Sequence, residues 1–292
     1  MFEKIISNTS TIVVGNSEKI KLTLAAIVSE GSILIEDYPG SGKTTFAKAI
    51  TQSLGLNFKR VQFTSDLLPS DILGFNIFLD GKLNFQKGPI FTNIVLADEL
   101  NRGSPKSQSA FLEAMEEKNV SIDGVSYSLP EPFFVIATQN PMDSSGTSSL
   151  PDSQLDRFMI SYSLSDLNDE DKIEMLKKEV NFDQQKSENI DWQKIKEKKN
   201  TITIKDEIYK YVLSVEQRIQ SLDQKIYISA RCLKQIINLA KGWAIINNKD
   251  YVTHQDIKDT IPYILRHRIR FLNQDEKIEF VNKEILEKIN IN

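Results

Sequence analysis

The feature that most constrains this chain is the short stretch DYPGSGKT, which lies between an apolar run and a helix-like segment. Its glycines allow the backbone to approach a phosphate chain, and the N–H groups of a helix N-terminus point at the same anion. In such a loop the lysine reaches the β and γ phosphates, and the hydroxyl after it is a magnesium ligand. The pattern predicts a phosphate-binding loop formed by Pro39, Gly40, Ser41, Gly42, Lys43, Thr44 and Thr45, with Asp37 in place of the usual first glycine.

Two acids follow a second apolar run, Ile94–Ala97. At a phosphate site, the first acid of such a pair holds the magnesium shell and the second polarises the attacking water. The alternative is that the acids only cap the next helix. Because they follow a phosphate loop, we favour a metal site formed by Thr44 and Asp98, with Glu99 as the catalytic base.

A third apolar run, Phe133–Thr138, ends in Gln139 and Asn140. The Asn140 amide is a candidate for holding the attacking water from the side opposite Glu99, which is a positioning role. A simple strand-to-turn Asn-Pro step is the alternative. We favour the functional role because ligands of open α/β sheets bind at the edge where the other candidate residues lie.

The apolar runs also predict the fold class. Ser32–Glu36, Ile94–Ala97 and Phe133–Thr138 are nearly continuous in apolar residues, which is typical of parallel strands covered on both faces. They alternate with helix-like segments, and this predicts an α/β P-loop domain with an αβα sandwich. Residues 75–85 alternate around Asp80-Gly81, which predicts an inserted β-hairpin.

The last third of the chain is helical in pattern. Apolar residues recur at three- and four-residue steps between Ile208 and Leu222, as in an amphipathic helix. Thr253 and Asp256 form a capping box for a later helix, which Pro262 should kink or end. We therefore predict a core domain over residues 1–180, and a linker with a small all-α lid domain over residues 181–292.

Composition excludes several classes of site. The single cysteine, Cys232, excludes an internal disulfide and a cysteine-based zinc site, and its apolar neighbours predict a buried thiol. The net charge of −4 argues against a nucleic-acid partner. The basic run Arg266–Arg270 is expected to be a solvated or dipole-compensating face. No apolar run is long enough for membrane insertion, so a cytoplasmic protein is expected.

Longer stretches of the chain resemble a known family. They are EDYPGSGKT, RVQFTSDLLPSDILG, LADELNRGSPKSQSAFLEAMEE, PFFVIATQNP and LPDSQLDRF. Together they resemble the MoxR family of AAA+ ATPases, most strongly from Ser32 to Arg157. The resemblance implies binding of ATP or ADP with Mg²⁺.

The resemblance also implies roles for particular residues. Asn140 matches the sensor 1 position, and Arg157 matches the arginine finger that reaches the γ-phosphate of the neighbouring subunit. Arg231 matches the sensor 2 arginine of the lid, although Ala230 replaces the proline that family members usually have there. From the residues alone, Arg157 could be a surface charge and Arg231 could pair with an acid inside the lid.

Further family positions lie near the start of the chain and after the acids. Val14 and Gly15 match the segment that contacts adenine, largely through its backbone. Asp37 stands where family members often have Asp or Gly. Arg102 matches a position near the subunit interface, without an assigned role.

The resemblance implies a homo-oligomeric ring, expected to be a hexamer, that acts as a chaperone. It would remodel or activate a protein client, with a von Willebrand factor A-domain protein as a possible partner. Two alternatives stay open from the sequence. One is a nucleotide-binding scaffold with little hydrolysis, and the other is a related DNA-linked or chelatase-type AAA+ motor.

Overall fold

A computed structural model describes residues 1–79, 81–140, 150–165, 167–178, 180–182, 185–223, 226–274 and 276–289. Asp80 of the predicted hairpin turn and Pro141 after Asn140 lie outside this part of the chain. The chain divides into two compact units. The first comprises Met1–Ser17, Leu34–Arg157 and Ser163–Ile190, and the second comprises Glu18–Ile33, Phe158–Tyr162 and Asp191–Asn292. The boundary predicted between residues 180 and 181 stays a prediction.

The strands are β1 (Ile33–Glu36), β2 (Phe58–Gln62), β3 (Gly74–Leu79), β4 (Lys82–Lys87), β5 (Ile94–Asp98), β6 (Asn119–Ile122), β7 (Val125–Ser128), β8 (Phe134–Gln139) and β9 (Ile160–Tyr162). The helices are α1 (Phe2–Ser10), α2 (Ser17–Val28), α3 (Lys43–Ser53), α4 (Pro69–Leu73), α5 (Pro105–Glu117), α6 (Asp152–Leu155), α7 (Asp169–Lys177), α8 (Trp192–Thr201), α9 (Asp206–Gln220), α10 (Ala230–Ile246), α11 (His254–Leu265) and α12 (Glu276–Phe280). None of these described helices is both long and apolar enough to cross a membrane.

A five-stranded sheet with the order β2-β5-β8-β1-β9 forms the centre of the α/β fold. Strands β2, β5 and β8 run parallel, so that Gln62 lies beside Asp98 and Ala97 lies beside Ala137. Every residue of β1 and β5 is buried, as expected for strands covered on both faces. The predicted α/β class and the three predicted strands are confirmed, while β2 and β9 were not predicted.

The predicted hairpin is confirmed by antiparallel pairing of β3 with β4, in which Leu79 lies opposite Lys82. A second hairpin, β6–β7, was not predicted. Its turn residues, Asp123 and Gly124, both have positive φ angles, as two-residue hairpin turns require. The sequence has an Asp-Gly pair in both hairpins. The second hairpin was not predicted because its strands are shorter and more polar.

The second unit contains the predicted helical lid. Val215 of α9, Cys232 of α10 and Ile261 of α11 are completely buried, which confirms the buried thiol. The Thr253 hydroxyl accepts a hydrogen bond from the Asp256 N–H, and the Asp256 carboxylate accepts one from the Thr253 N–H, so the predicted capping box is confirmed. Of the two effects predicted for Pro262, ending the helix is wrong because α11 continues to Leu265, and a kink stays a prediction.

The basic run after α11 was predicted to be a solvated or dipole-compensating face, and solvation is wrong for its first three residues, although Arg270 is exposed. Arg266, His267 and Arg268 are buried in a short 3₁₀ turn. Arg268 Nη2 donates a hydrogen bond to Gln235 Oε1 at 2.8 Å, and Arg268 also donates to the carbonyl of Ile264. Hydrogen bonds of this kind offset part of the cost of burying a guanidinium group, which the sequence pattern could not show.

Candidate functional site

The predicted phosphate loop runs from the end of β1 to the start of α3. Gly40 and Gly42 have φ angles of 86° and 84°, a left-handed conformation that glycine adopts without steric cost. A Cβ atom added to either glycine would meet no atom within 4 Å, so both face open space. Gly42 is the N-cap of α3 and has no side chain to cap the first amides of the helix. The loop is therefore concave and rich in N–H donors, as a phosphate site requires.

The ammonium group of Lys43 is held over this loop. Its Nζ donates hydrogen bonds to the Tyr38 carbonyl at 2.6 Å, to Ser41 Oγ at 3.3 Å and to the Asp37 carbonyl at 3.3 Å. Each partner is neutral, so the positive charge is positioned without being compensated by these contacts. An anion bound in the loop would meet a pre-oriented cation.

The loop opens into a cavity of about 600 Å³, a size typical of sites for small-molecule ligands. The carboxyl ends of the parallel strands supply the opposite wall. The cavity is lined by Asp37, Pro39, Gly40, Ser41, Gly42, Lys43, Thr44, Thr45, Arg60, Gln62, Asp98, Glu99, Thr138, Gln139 and Asn140. The structure thus brings the predicted loop residues together with Asp98, Glu99 and Asn140.

Asp98, the last residue of β5, is held on both carboxylate oxygens. The Thr138 hydroxyl donates to Asp98 Oδ1 at 2.7 Å, and Arg60 Nε donates to Oδ2 at 3.0 Å. The Asp98 side chain is only 10% exposed, so these hydrogen bonds determine the direction in which its oxygens face. The sequence predicted Asp98 but neither of its partners.

Glu99 adopts a left-handed backbone conformation, with φ 54° and ψ 47°. Residues other than glycine hold such angles only where the surroundings impose them, and they often do so at functional sites. Its N–H donates to the Thr138 hydroxyl at 2.9 Å, and its Oε2 accepts from the Gln62 amide at 2.8 Å. Arg102 Nη1 lies 3.5 Å from the same Oε2. Arg102 therefore lies beside this acid in its own chain.

Asn140 follows β8 directly and lines the same cavity as the phosphate loop. The residue before it, Gln139, donates through Nε2 to Glu36 Oε1 at 2.7 Å. The Asp37 N–H in turn donates to the Gln139 carbonyl at 3.1 Å. The end of β8 is thereby tied to the start of the phosphate loop, which holds Asn140 near it.

Asp37, the residue that replaces the usual first glycine, has a structural explanation. Its carboxylate is buried and accepts hydrogen bonds from the N–H groups of Leu164 at 2.8 Å and Ser165 at 3.2 Å. It also accepts one from its neighbour, Tyr38, at 3.1 Å. Asp37 therefore anchors the loop to residues 164–165.

Four of the predicted site residues do not line the cavity. Val14 is buried, and Gly15 packs so closely against Leu167 and Asp171 that an added Cβ would lie 2.6 Å from each. Arg157 Nε lies 3.1 Å from Glu116 Oε2 of the same chain. Arg231 is exposed in the first turn of α10, in the second unit.

Arg60, Gln62, Thr138 and Gln139 line the cavity but were not predicted as site residues. Arg60 and Gln62 are two residues apart on β2, so they share a face of the strand. Because β2 has a single buried residue, Val61, its pattern did not predict a strand. The alternation of polar and apolar residues in RVQFT is the signal that could have identified Arg60 and Gln62. This stretch is part of the longer segment on which the family resemblance rests.

The residues of the cavity fit magnesium and nucleotide. Mg²⁺ prefers carboxylate and other oxygen ligands and shares them with substrate phosphates. The Asp98 carboxylate and the Thr44 hydroxyl supply oxygen donors in the same cavity as the phosphate loop. Among the described residues, no group of three or more His, Cys, Asp or Glu side chains is arranged to hold a metal ion. Phosphate oxygens of a nucleotide would therefore supply further ligands.

Two family models match the chain. The model described as the ATPase family associated with various cellular activities (AAA) matches residues 32–160, and the AAA lid domain model matches residues 216–289. The first match contains the phosphate loop and both acids. The second match contains α10, α11 and α12.

Two curated bacterial proteins are similar to the chain over 97% of its length. It is 36% identical to the uncharacterized protein YeaC of Bacillus subtilis, of which it covers 91%, and 32% identical to chaperone MoxR1 of Mycobacterium tuberculosis, of which it covers 79%. A crystal structure of a protein from Cytophaga hutchinsonii that was assigned as an ATPase matches with a TM-score of 0.85 and 37% identity. That match covers 99% of this chain and 94% of the other.

Proposed function

The chain belongs to the MoxR family of AAA+ ATPases, and on this premise we propose that it hydrolyses ATP with Mg²⁺ and uses the energy to remodel partner proteins. The observation that carries this proposal is one cavity that contains the phosphate loop, Lys43, Asp98 and Glu99. These groups are the binding, metal and base elements that phosphoryl transfer to water requires.

In this proposal the loop amides and Lys43 bind the β and γ phosphates. Thr44 and Asp98 hold the magnesium ion, which would neutralise charge on the phosphate oxygens. Lys43 already lies over the loop, and at least one of its three hydrogen bonds to loop acceptors would be exchanged for a phosphate oxygen when the phosphates bind. Val14 and Gly15 would contact the adenine through their backbone.

Glu99 would accept a proton from the attacking water, and Asn140 would orient that water. A catalytic base must be held within hydrogen-bond distance of the proton that it accepts, so the hydrogen bonds that restrain Glu99 matter for this role. Its backbone is tied through Thr138 and its carboxylate through Gln62. To act on water, the carboxylate must share or release the Gln62 amide.

A ring, with six subunits as the expected number, would complete the site. Arg157 does not line the cavity of its own chain, as a residue that acts on a neighbouring subunit requires. It would stabilise charge on the γ-phosphate of that neighbour, and Arg231 would contact the phosphates from the lid. Movement of the lid on hydrolysis would act on a client in the cytoplasm.

The chaperone role is supported by the relative named chaperone MoxR1. A protein that carries a von Willebrand factor A domain remains our proposed partner, on the family resemblance alone. The client itself would be recognised by surfaces other than the nucleotide cavity.

The test is ATP turnover per subunit in the presence of magnesium, measured over a wide range of protein concentration. We expect the specific rate to rise with concentration and then level off, because a site completed by a neighbour forms only on assembly. Replacing Glu99 with Gln should lower turnover by about 10²–10⁴-fold while nucleotide still binds.

The matched control is Glu113→Gln, on the exposed face of α5, which should leave turnover unchanged. Equal turnover of wild type and Glu99→Gln would refute a catalytic role for Glu99. Nucleotide binding without turnover in any form of the protein would instead favour the nucleotide-binding scaffold.

A further inference from the structure

A cation of the protein already occupies the carboxylate that the proposed magnesium site needs. Arg60 Nε lies 3.0 Å and Arg60 Nη2 lies 2.5 Å from Asp98 Oδ2, so two N–H donors converge on one oxygen. Arg60 lines the same cavity as the phosphate loop and is 48% exposed, whereas Asp98 is 10% exposed. The guanidinium thus reaches the carboxylate from the open side.

The acceptor capacity of Asp98 limits what else can bind there. An ionised carboxylate offers about four lone-pair directions, two on each oxygen. Arg60 uses both directions on Oδ2, and the Thr138 hydroxyl uses one on Oδ1. A magnesium ion or its water ligand that approaches Oδ2 must therefore displace the guanidinium. The one remaining direction, on Oδ1, would place the metal close to the like charge of Arg60, which also favours release of the guanidinium.

We infer that Arg60 is a place-holding cation, which neutralises Asp98 until magnesium arrives with nucleotide and is then released to the phosphates. This inference rests on the proposed function of the cavity. The exchange is electrostatically balanced, because one cation leaves the carboxylate as another reaches it. The released guanidinium stays in a cavity whose other wall is the phosphate loop, where its charge favours the polyphosphate.

The environment of Arg60 supports exchange over a permanent structural pair. Arg60 is half exposed, so its guanidinium regains hydration when it leaves, whereas the mostly buried Asp98 carboxylate still needs a cation beside it. The Arg60 Nη2 group also donates to Gln62 Oε1, and the Gln62 amide donates to Glu99 Oε2 at 2.8 Å. Arg60 is therefore a positioning residue, since it orients Asp98 directly and Gln62 through its side-chain oxygen.

The exchange predicts a coupling between Arg60 and magnesium that binding can measure. Without metal, Arg60→Gln leaves the charge of Asp98 uncompensated next to the phosphates, so metal-free nucleotide should bind more weakly. With metal, the variant loses the attraction of the released guanidinium for the phosphates but has no guanidinium to displace, and these two effects offset each other. The ratio of the dissociation constant in EDTA to that in magnesium should therefore rise by about three- to tenfold over wild type.

The experiment uses the full chain and a non-hydrolysable ATP analogue, titrated by calorimetry in EDTA and in magnesium chloride. The variants are Arg60→Gln, Arg60→Lys and the control Lys59→Gln, which removes the same charge from the adjacent exposed position of β2. Arg60→Lys keeps the charge but has no guanidinium fork, so its ratio should lie between those of wild type and Arg60→Gln. Lys59→Gln should have the wild-type ratio.

An unchanged or lower ratio in Arg60→Gln would overturn the inference, even if both affinities changed, because a purely structural or phosphate-binding role alters both conditions alike. An equal rise in Lys59→Gln would also overturn it, since the effect would then be one of general charge. If the wild-type protein binds the analogue in neither condition, the proposed nucleotide site itself fails. These results separate failure of the exchange from failure of the proposed function.

Discussion

Thr138→Val tests whether one hydroxyl organises both acids of the cavity. Thr138 is completely buried, and its Oγ1 donates to Asp98 Oδ1 at 2.7 Å while it accepts the Glu99 N–H at 2.9 Å. Valine has nearly the same shape, so the substitution removes both hydrogen bonds and leaves little cavity. A carboxylate oxygen and a backbone N–H each lose a partner in a mostly buried environment.

The size of the effect follows from these two bonds. A hydrogen bond to a charged group contributes about 1.5–3 kcal/mol, and one between neutral groups contributes about 0.5–1.5 kcal/mol. Together they predict a loss of roughly 2–4.5 kcal/mol in the free energy of unfolding. Thr51→Val is the matched control, because within the described part of the chain the buried Thr51 hydroxyl donates to the Ala47 carbonyl of its own helix and contacts neither acid. We expect the control to change stability by less than about 1 kcal/mol.

The assay is urea unfolding followed by far-UV circular dichroism, in which a lower midpoint with an unchanged slope reports lost stability. ATP turnover should fall as well, because Asp98 and Glu99 lose a shared restraint. Equal destabilisation by Thr138→Val and Thr51→Val would refute the reasoning, since the cost would then come from any buried hydroxyl. A loss below about 0.5 kcal/mol for Thr138→Val would refute it too.

Three further predictions follow from individual side chains. Lys43→Ala should abolish measurable binding of a fluorescent ATP analogue, while Lys48→Ala on the exposed face of α3 should not; retained binding in Lys43→Ala would contradict the phosphate site. Arg157→Ala should lower ATP turnover by about 10³-fold without weakening nucleotide binding, and a loss confined to binding would argue against a finger role. Burial is the main cause that holds the pKa of His267 well below its usual 6.5, and the charges of Arg268 and Lys277 lower it further. As the pH falls, the unfolded chain is therefore protonated at this residue before the folded chain. Stability should therefore be lost as pH falls below about 6.5, and urea midpoints measured against pH should flatten in His267→Gln if this group is responsible.

Much of the α/β fold could be predicted from the sequence because its signals are local. A nearly continuous apolar run followed by PGSGKT specifies a strand, a tight loop and a helix within one short segment, and the structure contains all three. The lid helices follow from their apolar stripes, and the capping box at Thr253 follows from a three-residue spacing. The failures were local signals overridden by packing, as in the burial of Arg266, His267 and Arg268.

The predicted acids and loop residues likewise follow from motifs, but their partners do not. Arg60 and Gln62 reach Asp98 and Glu99 only because β2 pairs in parallel with β5, which places Gln62 beside Asp98. In the sequence, Asp37 is only a departure from the usual motif. In the structure, its carboxylate accepts hydrogen bonds from the N–H groups of Leu164 and Ser165 and anchors the loop.

The sequence by itself determined which chemical groups stand at the ends of the strands, because residue type and short-range spacing encode loops, caps and strand termini. Only the tertiary structure decided which of those groups hydrogen-bond to one another, because sheet order and strand register bring together residues far apart in the chain. The hydrogen bond from Arg60 to Asp98 is one that only the tertiary structure decided. A carboxylate is positioned by its nearest donors, and those donors are known only when the strands are paired.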